Sequence, residues 1–204
     1  MQKLILSLVM AIILSLSTVS ATFAADYSVN DSDEIVGVLV EPYEILQQFA
    51  PRTSNGRNIS LENLDTLNQM ALDAVLRDEL LYTAVFYVDH EGNFLGQGDI
   101  FSRQVFFANV LRITMVGSQS INNAIWLVEN IGSSSIIVNA SAAIFPSSPM
   151  SSTSASRQLA SFGRFEMTTI TASSTWTHST FSAGINAVGT SVGTINVGPF
   201  TVRR

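Results

Sequence analysis

Strand-like alternation runs through almost the whole second half of this 204-residue chain, and no other feature limits its possible folds so tightly. Leu111, Ile113 and Met115 alternate with Arg112 and Thr114. Residues 124–128 lead into a turn at 130–133, and residues 136–145 make a long strand. Phe165, Met167 and Thr169 alternate with Arg164, Glu166 and Thr168, and residues 176–181, 185–188 and 194–202 complete the set. Side chains two apart share one face of a strand, so this spacing predicts sheet with one apolar side. Short strands separated by turn signals, with no helix-period segment among them, point to an antiparallel β-sandwich, immunoglobulin-like or related. Trp126, sharing a face with Ala124 and Val128, belongs to its core. Pro199 cannot donate to a ladder, so the last strand lies at an edge or carries a bulge. Residues 146–157, with two prolines, six serines and no apolar period, read as a loop.

The front half has a different rhythm. Residues 26–99 hold 14 acids against Arg52, Arg57 and Arg77, a balance of −11, whereas residues 100–204 carry only Glu129 and Glu166 against six arginines, a balance of +4. Charge runs of this kind commonly face water. An apolar patch at 35–40 ends at Glu41-Pro42, and Pro51 and Ser54-Asn55-Gly56 make the following stretch irregular. A helix follows over 59–78. Ser60 can cap it, Ile59 and Leu64 can staple it, and Glu62 and Asp65 complement its dipole. Leu64, Leu67, Ala71, Ala74 and Val75 give it an apolar stripe that covers its own domain. Residues 80–88 then read as a strand, and Asp89-His90-Glu91-Gly92-Asn93 as the turn of a hairpin.

The first residues are an address. Lys3 supplies the positive start, residues 4–16 form an apolar run interrupted by Ser7 and Ser15, and small residues follow to Ala25. This is the pattern of a secretory signal peptide, with cleavage after Ala24 preferred to cleavage after Ala21. A 13-residue run is short of the roughly 20 residues a spanning helix needs, so stable membrane insertion is not expected. The layout is thus a leader over 1–24, an irregular acidic lead over 25–58, and one sandwich domain over 59–204 with its helix at 59–78 and strands from about 80 to 202.

Lys3 is the only lysine, so the mature chain holds 9 arginines against 16 acids, a net charge of −7. Such a balance argues against nucleic acid, whose phosphates need clustered cations. The absence of cysteine excludes disulfides, thiolate zinc sites and iron–sulfur clusters, and it fits a bacterial export route.

Motifs that could carry chemistry fall short one by one. Gly189-Thr190-Ser191-Val192-Gly193 matches a nucleophile elbow, but no acid or histidine follows Ser191. Asp89, His90 and Glu91 lack the spacing of a calcium loop, and His90 is expected to be solvated. Glu129 and Glu166 are the only acids on the expected sandwich; a surface ion pair with Arg164 accounts for Glu166, leaving a glycosidase pair weakly supported. No catalytic residue, metal or cofactor is assigned. The remaining constellation is Ser174, Trp176, His178 and Thr180, which strand alternation puts on one outward face. There an indole among hydroxyls could stack a sugar ring. The expected protein is a secreted, non-catalytic interaction module with an extracellular protein or glycan partner. The alternatives are a carbohydrate-binding module working through Trp176 and a secreted hydrolase with an unfamiliar site.

Overall fold

Two sheets stack face to face, and two helices cover the far side of one of them. The computed structural model describes residues 34–49, 64–98, 109–145, 151–171, 175–188 and 193–204. The elements are β1 (Glu34–Val36), β2 (Val38–Val40), α1 (Pro42–Phe49), α2 (Asp65–Arg77), β3 (Leu81–Asp89), β4 (Phe94–Gly98), β5 (Val110–Ser118), β6 (Asn123–Asn130), β7 (Ile136–Phe145), β8 (Ser151–Leu159), β9 (Arg164–Ile170), β10 (His178–Ala187) and β11 (Ile195–Arg203). The outer sheet runs β1-β11-β10-β7-β8 and the inner sheet β2-β3-β5-β6-β9, with β4 sharing the β3 edge beside β2. All pairings are antiparallel except β1 with β11. The expected β-sandwich is therefore present.

The central strands of the inner sheet, β3, β5 and β6, are buried on both faces, which explains their nearly unbroken apolar sequence, whereas β9 at the edge alternates. Every residue of β5 is buried. One face, with Phe86, Ile113, Met115 and Trp126, meets the outer sheet; the other, with Val85, Val116, Ile125 and Leu127, lies under the helices. The outer sheet buries one face only, so β7 and β10 alternate cleanly between covered and accessible positions. Between the sheets, Trp126 Nε1 donates to Ser179 Oγ at 2.9 Å, and Ser179 Oγ donates to the Ala143 carbonyl at 2.7 Å.

Three segments depart from the sequence reading. The stretch expected to be irregular contains β1, β2 and α1. Pro42 starts the helix rather than stopping the chain, because the first helical position needs no N–H donor, and Ile45 and Phe49 follow one turn apart into the core. The serine-rich stretch taken for a loop supplies β8, held by an unbroken ladder to β7 from Ile144↔Ser151 to Ile136↔Leu159. Its pairing comes from the backbone, which is why no apolar period marks it. Helix α2 begins at Asp65 with Leu64 at its cap and no side-chain cap from its own strand of sequence; Ile59, Ser60 and Glu62 lie outside the described residues. It ends where Asp78 adopts left-handed φ 53°, with the N–H groups of Asp78 and Glu79 bonded to Val75 and Ala74.

Both seams of the sandwich are closed. At one, the chain passes from outer to inner sheet at Gly37, where a Cβ would sit 3.0 Å from the Arg203 carbonyl oxygen. At the other, β8 and β9 are joined by a tight turn, Gly163 N to Ala160 O at 2.9 Å, and are tied at their far ends by Ile170 N to Ser151 Oγ at 3.2 Å. Pro199 falls where Gly198 and Pro199 oppose the single residue Ser182, the bulge that a proline inside a ladder requires.

Candidate functional site

The four residues expected to share a face do not. Strand β10 starts at His178, so the two-residue period does not extend back to Trp176. Trp176 turns inward and is fully buried, donating from Nε1 to the Ser118 carbonyl at 2.8 Å. Its ring meets Tyr82 edge-on at 5.7 Å, lies against Gly117, and has the Arg204 guanidinium 5.8 Å from its centroid. No face of the indole is left for a sugar. Ser174 lies outside the described residues. His178 and Thr180 do sit on the outward face, alternating with buried Ser179 and Phe181.

That outward face of the outer sheet is accessible along β7 and β10. The β7–β10 ladder runs without a register break from His178↔Phe145 to Ala187↔Ile136. Its rows read Ser152–Ala143–Thr180–Thr201, Ser154–Ser141–Ser182 and Ser156–Asn139–Gly184–Asn196. Ser141 and Ser182 share a hydrogen bond at 2.8 Å, and Ser156 Oγ donates to Asn139 Oδ1 at 2.6 Å. The last row, Phe145–His178–Arg203, continues onto exposed Val36 of β1. Within it the Phe145 and His178 rings stack at 4.6 Å with planes 4° apart, and Thr177 Oγ1 lies 3.0 Å from His178 Nδ1. Desolvation, with the Arg203 charge second, holds His178 below the ordinary imidazole range. On β7, β8, β10 and β11 this face presents mainly hydroxyls, carboxamides and small side chains, with Ile137 and the Phe145–His178 pair its larger groups and Arg203 the one arginine that alternation places on it.

In comparisons with known proteins, no family model and no curated protein matches the chain.

The carboxylates considered for catalysis are committed elsewhere. Glu129 faces the helices, not the solvent, between Arg112 (Nη1 to Oε2, 3.1 Å) and Arg164 (Nη1 to Oε1, 3.8 Å). The three form one row across β5, β6 and β9, with the Phe49 ring of α1 5.8 Å from the Arg112 guanidinium carbon. Desolvation raises the Glu129 pKa and outweighs the opposing pull of both arginines. Glu166 forms no ion pair among the described residues. Its two oxygens accept the N–H groups of Thr66 (3.1 Å) and Leu67 (3.2 Å), capping α2 from about a hundred residues away.

At the β3–β4 turn, Asp89 Oδ1 accepts from the backbone N–H of Glu91 and Asn93, and Oδ2 from Asn93 Nδ2 at 2.8 Å. Gly92, at φ 91°, returns its N–H to the Asp89 carbonyl at 3.1 Å, as the hairpin signal requires. His90 is half-buried rather than solvated, and its Nε2 has no hydrogen-bond partner among the described residues. Desolvation holds it below the ordinary imidazole range, against the smaller upward pull of Asn130 and Asp89. No group of three His, Asp or Glu side chains among the described residues is placed to hold a metal ion. Ser191 lies outside the described residues.

Sequence reasoning missed Phe145, Ser141, Ser182 and the whole of β8 as parts of one surface. The signal was there in the accessible positions of β7, where Asn139, Ser141 and Ala143 carry no charge.

Proposed function

We propose that the chain is a secreted, bacterial, non-catalytic β-sandwich protein that serves as an interaction module outside the cell or in the cell envelope. Its partner on this reading is an extracellular protein or a glycan. The observation that carries the reading is the employment of its acids: Asp89 folds a turn, Glu129 sits between two guanidiniums, and Glu166 caps a helix. A general acid or nucleophile has to reach a substrate, and each of these carboxylates instead serves the fold. The leader pattern of residues 1–24 supports export. An immunoglobulin-like relationship is part of the same proposal, supported by two packed sheets with chain crossings between them after β1, β6, β8 and β9.

Incubation of purified protein with panels of ester, glycoside and peptide substrates tests the proposal, and no turnover above the buffer rate is expected. Steady turnover that Glu129→Gln or Glu166→Gln abolishes, with the fold intact by circular dichroism, would establish the hydrolase instead.

A further inference from the structure

We propose that the accessible face of the outer sheet binds a neutral polysaccharide, laid across β8, β7, β10 and β11 with one sugar ring against the Phe145–His178 stack. This rests on the interaction-module reading and supplies its ligand class. Hydroxyl and carboxamide groups each donate and accept, so the pairs Ser141–Ser182 and Ser156–Asn139 can exchange their hydrogen bonds for bonds to sugar hydroxyls without stranding a polar atom. Small side chains on an unbroken ladder keep the surface flat, and neighbouring rows repeat at about 4.8 Å across strands and about 6.8 Å along them. A polymer with evenly spaced hydroxyls meets such a surface over its length. The charge pattern selects against other ligands. The protein carries a net charge of −6, yet these four strands turn no carboxylate onto the face, and Arg203 is the one arginine that alternation places on it. A polyanion therefore finds no array of cations, and a polycation no anions. The stacked rings supply the apolar contact that sugar C–H faces need, and the low pKa of His178 leaves the imidazole uncharged at neutral pH.

Depletion of the purified protein from solution by insoluble cellulose, chitin and β-1,3-glucan tests the assignment. Retention on at least one is expected, with a loss of at least tenfold in affinity for the Ser141→Glu/Ser182→Glu variant and no change for Leu76→Glu on the far side of α2. His178→Ala, which removes one ring of the stack without adding charge, should lower affinity severalfold and replaces the double variant if that fails to fold. Absence of retention on all three glycans, or equal retention by parent and face variants, overturns the proposal. So does preferential binding of a carboxylated or sulfated polymer, or a dimer in sedimentation that the face variant splits. None of these outcomes touches the interaction-module reading, which falls on steady turnover of an ester, glycoside or peptide substrate.

Discussion

Replacing Trp176 with alanine separates a structural indole from a ligand platform by stability alone. Burying a side chain of this size and then deleting it costs about 3–5 kcal/mol, through lost transfer energy and the cavity left behind. Here the ring also leaves the Ser118 carbonyl without its 2.8 Å donor and the Arg204 guanidinium without one of its aromatic neighbours. In a domain of this size each kcal/mol moves the thermal midpoint by about 2–4 °C, so a fall of about 6–20 °C is expected. Trp176→Phe keeps most of the ring and loses the N–H, for a cost of about 1–3 kcal/mol. Gly117 sharpens the test. A Cβ there would overlap the Trp176 ring, so Gly117→Ala should cost about 1–3 kcal/mol in the parent and close to nothing in the Trp176→Ala background. Guanidinium unfolding followed by Trp126 fluorescence, which survives in every variant, gives all four corners of the cycle. A loss below about 1 kcal/mol for Trp176→Ala, of the size seen for surface substitutions, would refute the reasoning.

Glu166→Ala should destabilise the protein by about 0.5–2 kcal/mol and speed hydrogen exchange at the Thr66 and Leu67 amides; unchanged exchange there would mean another group caps α2. Phe162 occupies φ 59° at the tip of the β8–β9 turn with 65% of its surface exposed, so Phe162→Gly should raise stability by about 1 kcal/mol, and a fall in midpoint would show that the ring has a partner. His90 and His178 both have folded pKa values below 6.5, so below that pH the unfolded chain binds protons that the native state resists, and stability falls on acidification. His90→Gln should flatten the denaturation midpoint between pH 7.5 and 5.5, and a parent midpoint that rises over this range would reverse the sign. Glu129 acts oppositely. Its raised pKa means the native state holds the extra proton above pH 4.5, so Glu129→Gln should remove a stability gain on acidification through that window.

The sandwich was legible because burial on one side leaves a two-residue period, as in β7, β9 and β10, and because Asp89 and Gly92 mark a hairpin in local terms. What stayed hidden depended on partners far away in the chain. The row of Arg112, Glu129 and Arg164 looks like surface polarity until the helices are laid over it. Glu166 reads as a strand residue, and only the arrival of α2 makes it a cap. Pro42 carries opposite meanings at the end of a strand and at the start of a helix, and the residues after it, Ile45 and Phe49, are too few to fix a period. Strand β8 has only the small Ala155 before Leu159 to announce it. Alternation carried back two residues past the start of β10 at His178 puts Trp176 on the wrong side, because the chain there no longer has a strand's period.

The short strand β1 lies beside Thr201, Val202 and Arg203, so the first and last described strands are neighbours. A chain delivered from one end therefore cannot finish its outer sheet until the final strand arrives, and β10, which needs β11 on one flank, waits with it. Among the described strands the pairing of β1 with β11 joins residues farthest apart in sequence, and leaving it to the last step favours slow folding and an unclosed species during any vectorial passage of the polypeptide.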